Sequence, residues 1–134
     1  MRALNLFWSI IIGLVVFVIL HALSGIIDFY AFATFLNMGL EIDIERWQIH
    51  PAYLLYIGIK EFSVLFAAGF FAIVVFNNDL ALRGILTAIA CGIFGFFMTR
   101  INSIMLELIM AIYYMVSSLT GSAIAIQFKG RRLV

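Results

Sequence analysis

Four long apolar stretches constrain the fold of this chain more than any other feature. They cover residues 4–36, 51–76, 80–98 and 104–128. About 20 apolar residues are needed for a helix to cross a bilayer, and each of the last three stretches fits one crossing. Only 11% of residues are charged, against about 25% in soluble domains. The sequence therefore predicts an all-α polytopic membrane protein, an antiparallel bundle of four transmembrane helices forming one membrane domain over 1–134.

The first stretch is too long for one upright crossing. Its 33 residues would reach about 50 Å as a helix, against a hydrocarbon core of about 30 Å. Either residues 4–36 form one strongly tilted helix, or a span over about 4–27 turns near Ser24-Gly25 and its aromatic continuation lies at the interface. Arg2 and Ala22-Leu23-Ser24 loosely resemble a signal peptide, but the apolar run continues past them and predicts a retained span.

The distribution of lysine and arginine predicts the orientation. Inner loops carry an excess of these residues, and with the N-terminus inside, five lie on the inner side and two on the outer side. Both termini are therefore predicted to be cytoplasmic, in a bacterial inner (plasma) membrane. The inner residues are Arg2, Arg83, Lys129, Arg131 and Arg132, and the outer ones are Arg46 and Arg100.

Lys60 and Glu61 are the only charged residues between Pro51 and Phe76. A charged side chain near the bilayer centre costs about 2.5–3.5 kcal/mol on insertion scales, so two in succession need partners. Neighbouring residues of a helix point about 100° apart, and adjacent side chains are not expected to face each other. We therefore expect Lys60 and Glu61 to have different partners.

Asp28 is the predicted partner of Lys60. His21, Ser24, Gly25 and Asp28 share one helix face by their spacing. If the first helix continues to Asn37, Asp28 lies nine residues deep, level with Lys60, which is nine residues past Pro51. A turn at Gly25 would prevent this pairing. For Glu61 we predict a partner on the fourth span or another subunit, without a named residue.

These four residues, His21, Asp28, Lys60 and Glu61, are called the polar cluster below. One interpretation is a structural ion pair that fixes helix register or binds a partner subunit. The other is a path that relays protons or ions, since buried carboxylates and amines shift their protonation easily. The sequence does not decide between these two interpretations.

Small residues recur on the third and fourth stretches. Such residues let helices approach closely in lipid, so the third and fourth spans are predicted to form the tightest packing. Homodimerisation through the third span is the alternative. The predicted packing residues are Gly84, Ala88, Gly92, Gly95 and Gly121.

No pattern in the sequence predicts catalysis. The chain has one cysteine, Cys91, and no cysteine–histidine cluster with zinc spacing, phosphate loop or nucleophile motif. His21 and His50 are predicted at different depths, which disfavours a shared haem. The net charge of +1 does not favour nucleic acid. We therefore expect no enzyme activity, catalytic residue, cofactor or metal.

The predicted function is that of a small accessory subunit in the lipid bilayer, which stabilises or docks to a larger membrane protein assembly. The acidic segment 40–45 would face outward and could dock a partner by strand addition. The alternative is transport by a homo-oligomeric ion or proton channel, or small carrier, that uses the polar cluster. The predicted partners are thus other membrane subunits or further copies of the chain.

Overall fold

A computed structural model describes residues 2–37, 51–98 and 104–131. The described residues form four helices, and each contains an apolar stretch long enough to cross a membrane, as the sequence predicts. The helices are α1 (Arg2–Asn37), α2 (Pro51–Val74), α3 (Leu80–Met98) and α4 (Ile104–Arg131). The apolar stretches are Leu6–Ala31, Pro51–Val74, Leu80–Phe97 and Ile104–Gly130.

Helix α1 is continuous over 36 residues. It passes through Ser24 and Gly25, so the alternative with a turn at this point is wrong. The Ser24 hydroxyl donates to the carbonyl of His21 at 2.7 Å, which satisfies the polar group within its own helix. Asp28 is consequently presented on a helix rather than in an interfacial segment.

Several predictions fall outside the described residues. The acidic segment 40–45, Arg46 and His50 lie in 38–50, and Arg100 lies in 99–103. They stay predictions from the sequence.

Helices α2 and α4 meet backbone against backbone. A Cβ atom on Gly69 of α2 would overlap the carbonyl oxygen of Ser118, and one on Gly121 of α4 would overlap the carbonyl oxygen of Phe66. The two glycines thus allow the helices to touch at reciprocal positions, as small residues do in lipid. The sequence prediction placed the tightest packing between the third and fourth spans, and it did not include Gly69.

The glycines of α3 face side chains of α4. A Cβ on Gly84 would lie 2.9 Å from the Cβ of Ser122, whereas Cβ atoms on Gly92 and Gly95 would overlap Met115 and the Tyr114 ring, respectively. Ala88 on the same helix is fully buried. The paired residue numbers rise on α3 as they fall on α4, so these two helices run in opposite directions.

Two cations contact the α2–α3 turn, Arg83 from α3 and Lys129 from the end of α4. Arg83 is only 1% exposed; its guanidinium donates to the Asn78 carbonyl at 2.8 Å and lies 3.9 Å over the Phe76 ring. The Lys129 ammonium donates to the Phe76 carbonyl and, at 3.0 Å, to Asn77 Oδ1. Since α2 is ending here, these donors satisfy carbonyls that have no partner within the helix. The turn and the C-terminal end of α4 therefore lie on the same side of the protein.

Gly69→Ala should lower the free energy of unfolding by about 1–3 kcal/mol, because the added methyl must push α2 and α4 apart. The measurement is unfolding in mixed micelles with increasing denaturing detergent. Gly58→Ala on the same helix is the matched control, since a Cβ there would meet nothing within 4 Å. Equal stability of the two variants would contradict the backbone contact.

Candidate functional site

An ion pair joins α1 to α2 inside the membrane-crossing region. Lys60 Nζ lies 2.9 Å from Asp28 Oδ2 and 3.2 Å from Oδ1. The ammonium therefore contacts both carboxylate oxygens, and such charge-assisted hydrogen bonds are among the strongest in proteins. Because α1 continues past Gly25, the two residues occupy the same level. The sequence predicts this pairing of Asp28 with Lys60 for a first helix that continues to Asn37.

Glu61 is buried, with 5% of its surface exposed, and it has neighbours within the chain. Its Oε1 lies 3.3 Å from Lys60 Nζ, and its Oε2 accepts a long hydrogen bond of 3.4 Å from the Tyr114 hydroxyl. Lys60 thus has Asp28 and Glu61 has Tyr114 of the fourth helix, as the prediction of different partners requires. The expectation that Lys60 and Glu61 do not face each other is wrong. Adjacent residues diverge at Cβ, but the long lysine chain bends back toward its neighbour, and one ammonium serves two carboxylates.

His21 completes the polar cluster from α1. Its ring stacks on Phe17 with the centroids 5.5 Å apart, and its Nδ1 lies 3.5 Å from Glu61 Oε1. The geometry does not form a hydrogen bond, so Nδ1 is a buried nitrogen without a partner among the described residues.

The polar cluster is buried at one end and open at the other. Among its side chains, Glu61 is 7% exposed and Lys60 11%, whereas Asp28 is 33% exposed and His21 43%. The open end lies on the surface of α1, within the apolar stretch Leu6–Ala31.

Three tyrosines contribute to the site. Tyr56 donates to Asp28 Oδ1 at 2.9 Å, and the sequence prediction did not include it. It precedes Lys60 by four residues on the same helix face, so spacing alone could have suggested it. Tyr113 donates to the carbonyl of Gly58. Tyr113 and Tyr114 thereby hold α4 against α2 beside the polar cluster.

An apolar core lies beyond Glu61. The buried side chains of Phe17, Val64, Leu65 and Tyr114 pack together there with Ala68 and Cys91. The fully buried hydroxyls of Thr87 and Ser118 lie deeper in the protein and form no hydrogen bond in the part of the chain that the structure describes. The same described residues contain no group of three histidine, cysteine or acidic side chains that could hold a metal ion.

Together, the helices and the polar cluster describe a helical membrane protein with an ion-pair network between its first two helices. Comparison with known proteins found no matching family model, curated protein or solved structure.

Lys60→Met should lower the free energy of unfolding by about 3 kcal/mol, because it leaves two carboxylates without their common cation. Methionine keeps the length and the apolar part of the side chain. Unfolding in mixed micelles measures the effect, and Ser63→Ala is the control. Ser63 is exposed on the same helix and donates only to the carbonyl of Ile59, so its loss should change stability by less than about 0.5 kcal/mol.

A double-mutant cycle separates the ion pair from packing effects. Asp28→Asn combined with Lys60→Gln should cost less than the sum of the single changes, with a coupling of about 0.5–3 kcal/mol. Strict additivity would mean that the two side chains do not interact in the folded protein.

Proposed function

We propose that this chain is a small integral membrane subunit that stabilises or docks to a larger membrane protein assembly. The proposed architecture is an antiparallel four-transmembrane-helix bundle, and every connection outside the membrane is short. The described residues contain no metal-binding group, and the charged side chains of the polar cluster contact one another.

One observation carries this proposal: the polar cluster reaches the surface of α1 within the apolar stretch Leu6–Ala31. Asp28 and His21 are one third or more exposed within Leu6–Ala31. Lipid tails offer no hydrogen-bond partners, and ionisable groups in such positions are costly unless another protein group or water meets them. A partner subunit covering this part of α1 would remove that cost.

The cations support the proposed orientation, with both termini cytoplasmic. Arg83 and Lys129 meet at the α2–α3 turn, which places two of the five inner cations at one end of the protein. The positive-inside tendency would direct that end to the cytoplasm. The bacterial inner membrane stays a prediction from the sequence.

The test of the subunit function is purification of the tagged full chain from its native membrane in mild detergent, followed by native mass spectrometry. We expect a heteromeric complex of defined stoichiometry. Recovery of the chain alone, or only as copies of itself, would overturn the proposal.

A second candidate function is transport by a homo-oligomeric channel or carrier for protons or ions. The observation that favours it is the series of close contacts from Tyr56 through Asp28, Lys60 and Glu61 to His21, with successive separations of 2.9–3.5 Å. Such a series can relay protons. The apolar core beyond Glu61 opposes it, because the series does not continue through that layer.

Flux into liposomes that contain the purified protein tests this second candidate. A transporter should carry protons or a common ion, and Glu61→Gln should abolish that flux while Ser63→Ala leaves it unchanged. Because Glu61→Gln keeps the size of the side chain, its folded state can be verified in parallel by thermal unfolding. Absence of flux from the unaltered protein would exclude the relay for the ions assayed.

A further inference from the structure

His21, Gly25 and Asp28 lie on one face of α1, and none of them is buried. Their spacing of four and three residues aligns them along the helix. Gly25 is exposed, and the side chains of His21 and Asp28 are 43% and 33% exposed. We call these three residues the α1 docking face. It contains the two exposed members of the polar cluster, together with Gly25.

Gly25 has no packing reason within the chain. A Cβ atom there would meet nothing within 4 Å, whereas a Cβ on Gly13 of the same helix would lie 2.5 Å from Thr87 Cγ2. Glycine inside a helix costs about 1 kcal/mol relative to alanine in soluble hosts. Small residues in membrane helices allow a second helix to approach closely. Gly25 thus provides an approach site for a helix from outside the chain.

The charges of the polar cluster indicate what that helix carries. Two carboxylates, on Asp28 and Glu61, face the single ammonium of Lys60, which leaves an excess formal charge of −1. Asp28 accepts three hydrogen bonds, from Tyr56 and Lys60, and a carboxylate offers about four acceptor positions. The unfilled acceptor position therefore lies on Asp28, the exposed carboxylate, and Asp28 shares the excess negative charge with Glu61. A lysine or arginine on the incoming helix would satisfy both.

A second copy of this chain does not fit the same face. Two copies related by a two-fold axis through this face would bring their Asp28 carboxylates toward each other, and like charges in contact oppose association. The same pairing would supply no additional cation at that depth. The complementary occupant is therefore a helix of a different protein.

We propose that the α1 docking face binds one transmembrane helix of another protein, which carries a lysine or arginine at the depth of Asp28. The inference rests on the proposed subunit function and names the surface and the chemistry of the partner. Gly25 receives the backbone of that helix, and Asp28 receives its cation.

The experiment uses the purified full chain in vesicles of phosphatidylethanolamine and phosphatidylglycerol, with fluorescence energy transfer to synthetic helices. The probes are helices of about 22 leucine and alanine residues with one lysine placed at the depth of Asp28. Probes with leucine or glutamate at that position are the comparison. We expect the lysine probe to bind about tenfold more tightly than the leucine probe, and the glutamate probe to bind most weakly.

Gly25→Leu blocks the proposed surface without touching the interior, and Ala123→Leu is its matched control because Ala123 is exposed on α4. The lysine probe should lose about tenfold in affinity on Gly25→Leu and bind the control variant like the unaltered chain. Equal binding of all three probes would overturn the inference. Unchanged binding of the lysine probe to both variants would also overturn it. Transfer only between copies of the chain would identify a second copy as the occupant and would also overturn it.

The same two variants separate this inference from the proposed function. If the native complex persists with Gly25→Leu, the chain is a subunit that docks through another surface, and only the α1 docking face is wrong. If the unaltered chain forms no heteromeric complex, the proposed function itself fails.

Discussion

The arrangement of the first two helices depends on the contact of the Lys60 ammonium with two carboxylates. In lipid, apolar side chains gain little from leaving the solvent, so helix positions are set by close packing and by polar contacts. Lys60 on α2 contacts Asp28 on α1 at 2.9 Å and Glu61 on its own helix at 3.3 Å. A shift of α1 by one turn would move its carboxylate about 5.4 Å and leave all three charges poorly matched.

Packing by glycine brings the other helices to this ion pair. Gly69 and Gly121 let α2 and α4 touch through their backbones, and this contact places Tyr114 beside Glu61. The ring of Tyr114 in turn fills the space that Gly95 leaves on α3. Tyr114 thus both donates a hydrogen bond to Glu61 and packs its ring against Gly95. The polar contact and the packing contact therefore favour the same position of α4. Arg83 and Lys129 both contact the α2–α3 turn, at the other end of α2 from Lys60.

The number and limits of the helices follow from hydropathy, because crossing length and apolar composition are local properties. Counting residues from Asn37 and Pro51 also predicts that Asp28 and Lys60 lie at the same depth, provided that α1 is continuous. The neighbours of Glu61 do not follow, since the rotation of each helix about its axis is set by contacts that hydropathy does not contain. The rule that adjacent side chains diverge concerns Cβ directions, and it does not limit the tip of a lysine.

Gly69 shows a similar limit of the sequence. It stands alone among aromatic and apolar residues, without the repeated spacing that indicated Gly84, Ala88 and Gly92. Its role appears only when Ser118 is placed against it. The open end of the polar cluster was likewise outside the reach of the sequence, because exposure depends on which helices cover α1. That open end is the feature that supports a partner subunit.

The most direct test of the shared Lys60 ammonium is a dipolar-coupling measurement by solid-state nuclear magnetic resonance on the protein in lipid bilayers. With ¹⁵N at Lys60 Nζ and ¹³C at the carboxyl carbons, we expect strong coupling of this one nitrogen to the carboxyl carbons of both Asp28 and Glu61. The expected separations correspond to Nζ–oxygen distances of 2.9 Å and 3.3 Å. Coupling to only one carboxyl, or to neither, would contradict the shared ammonium.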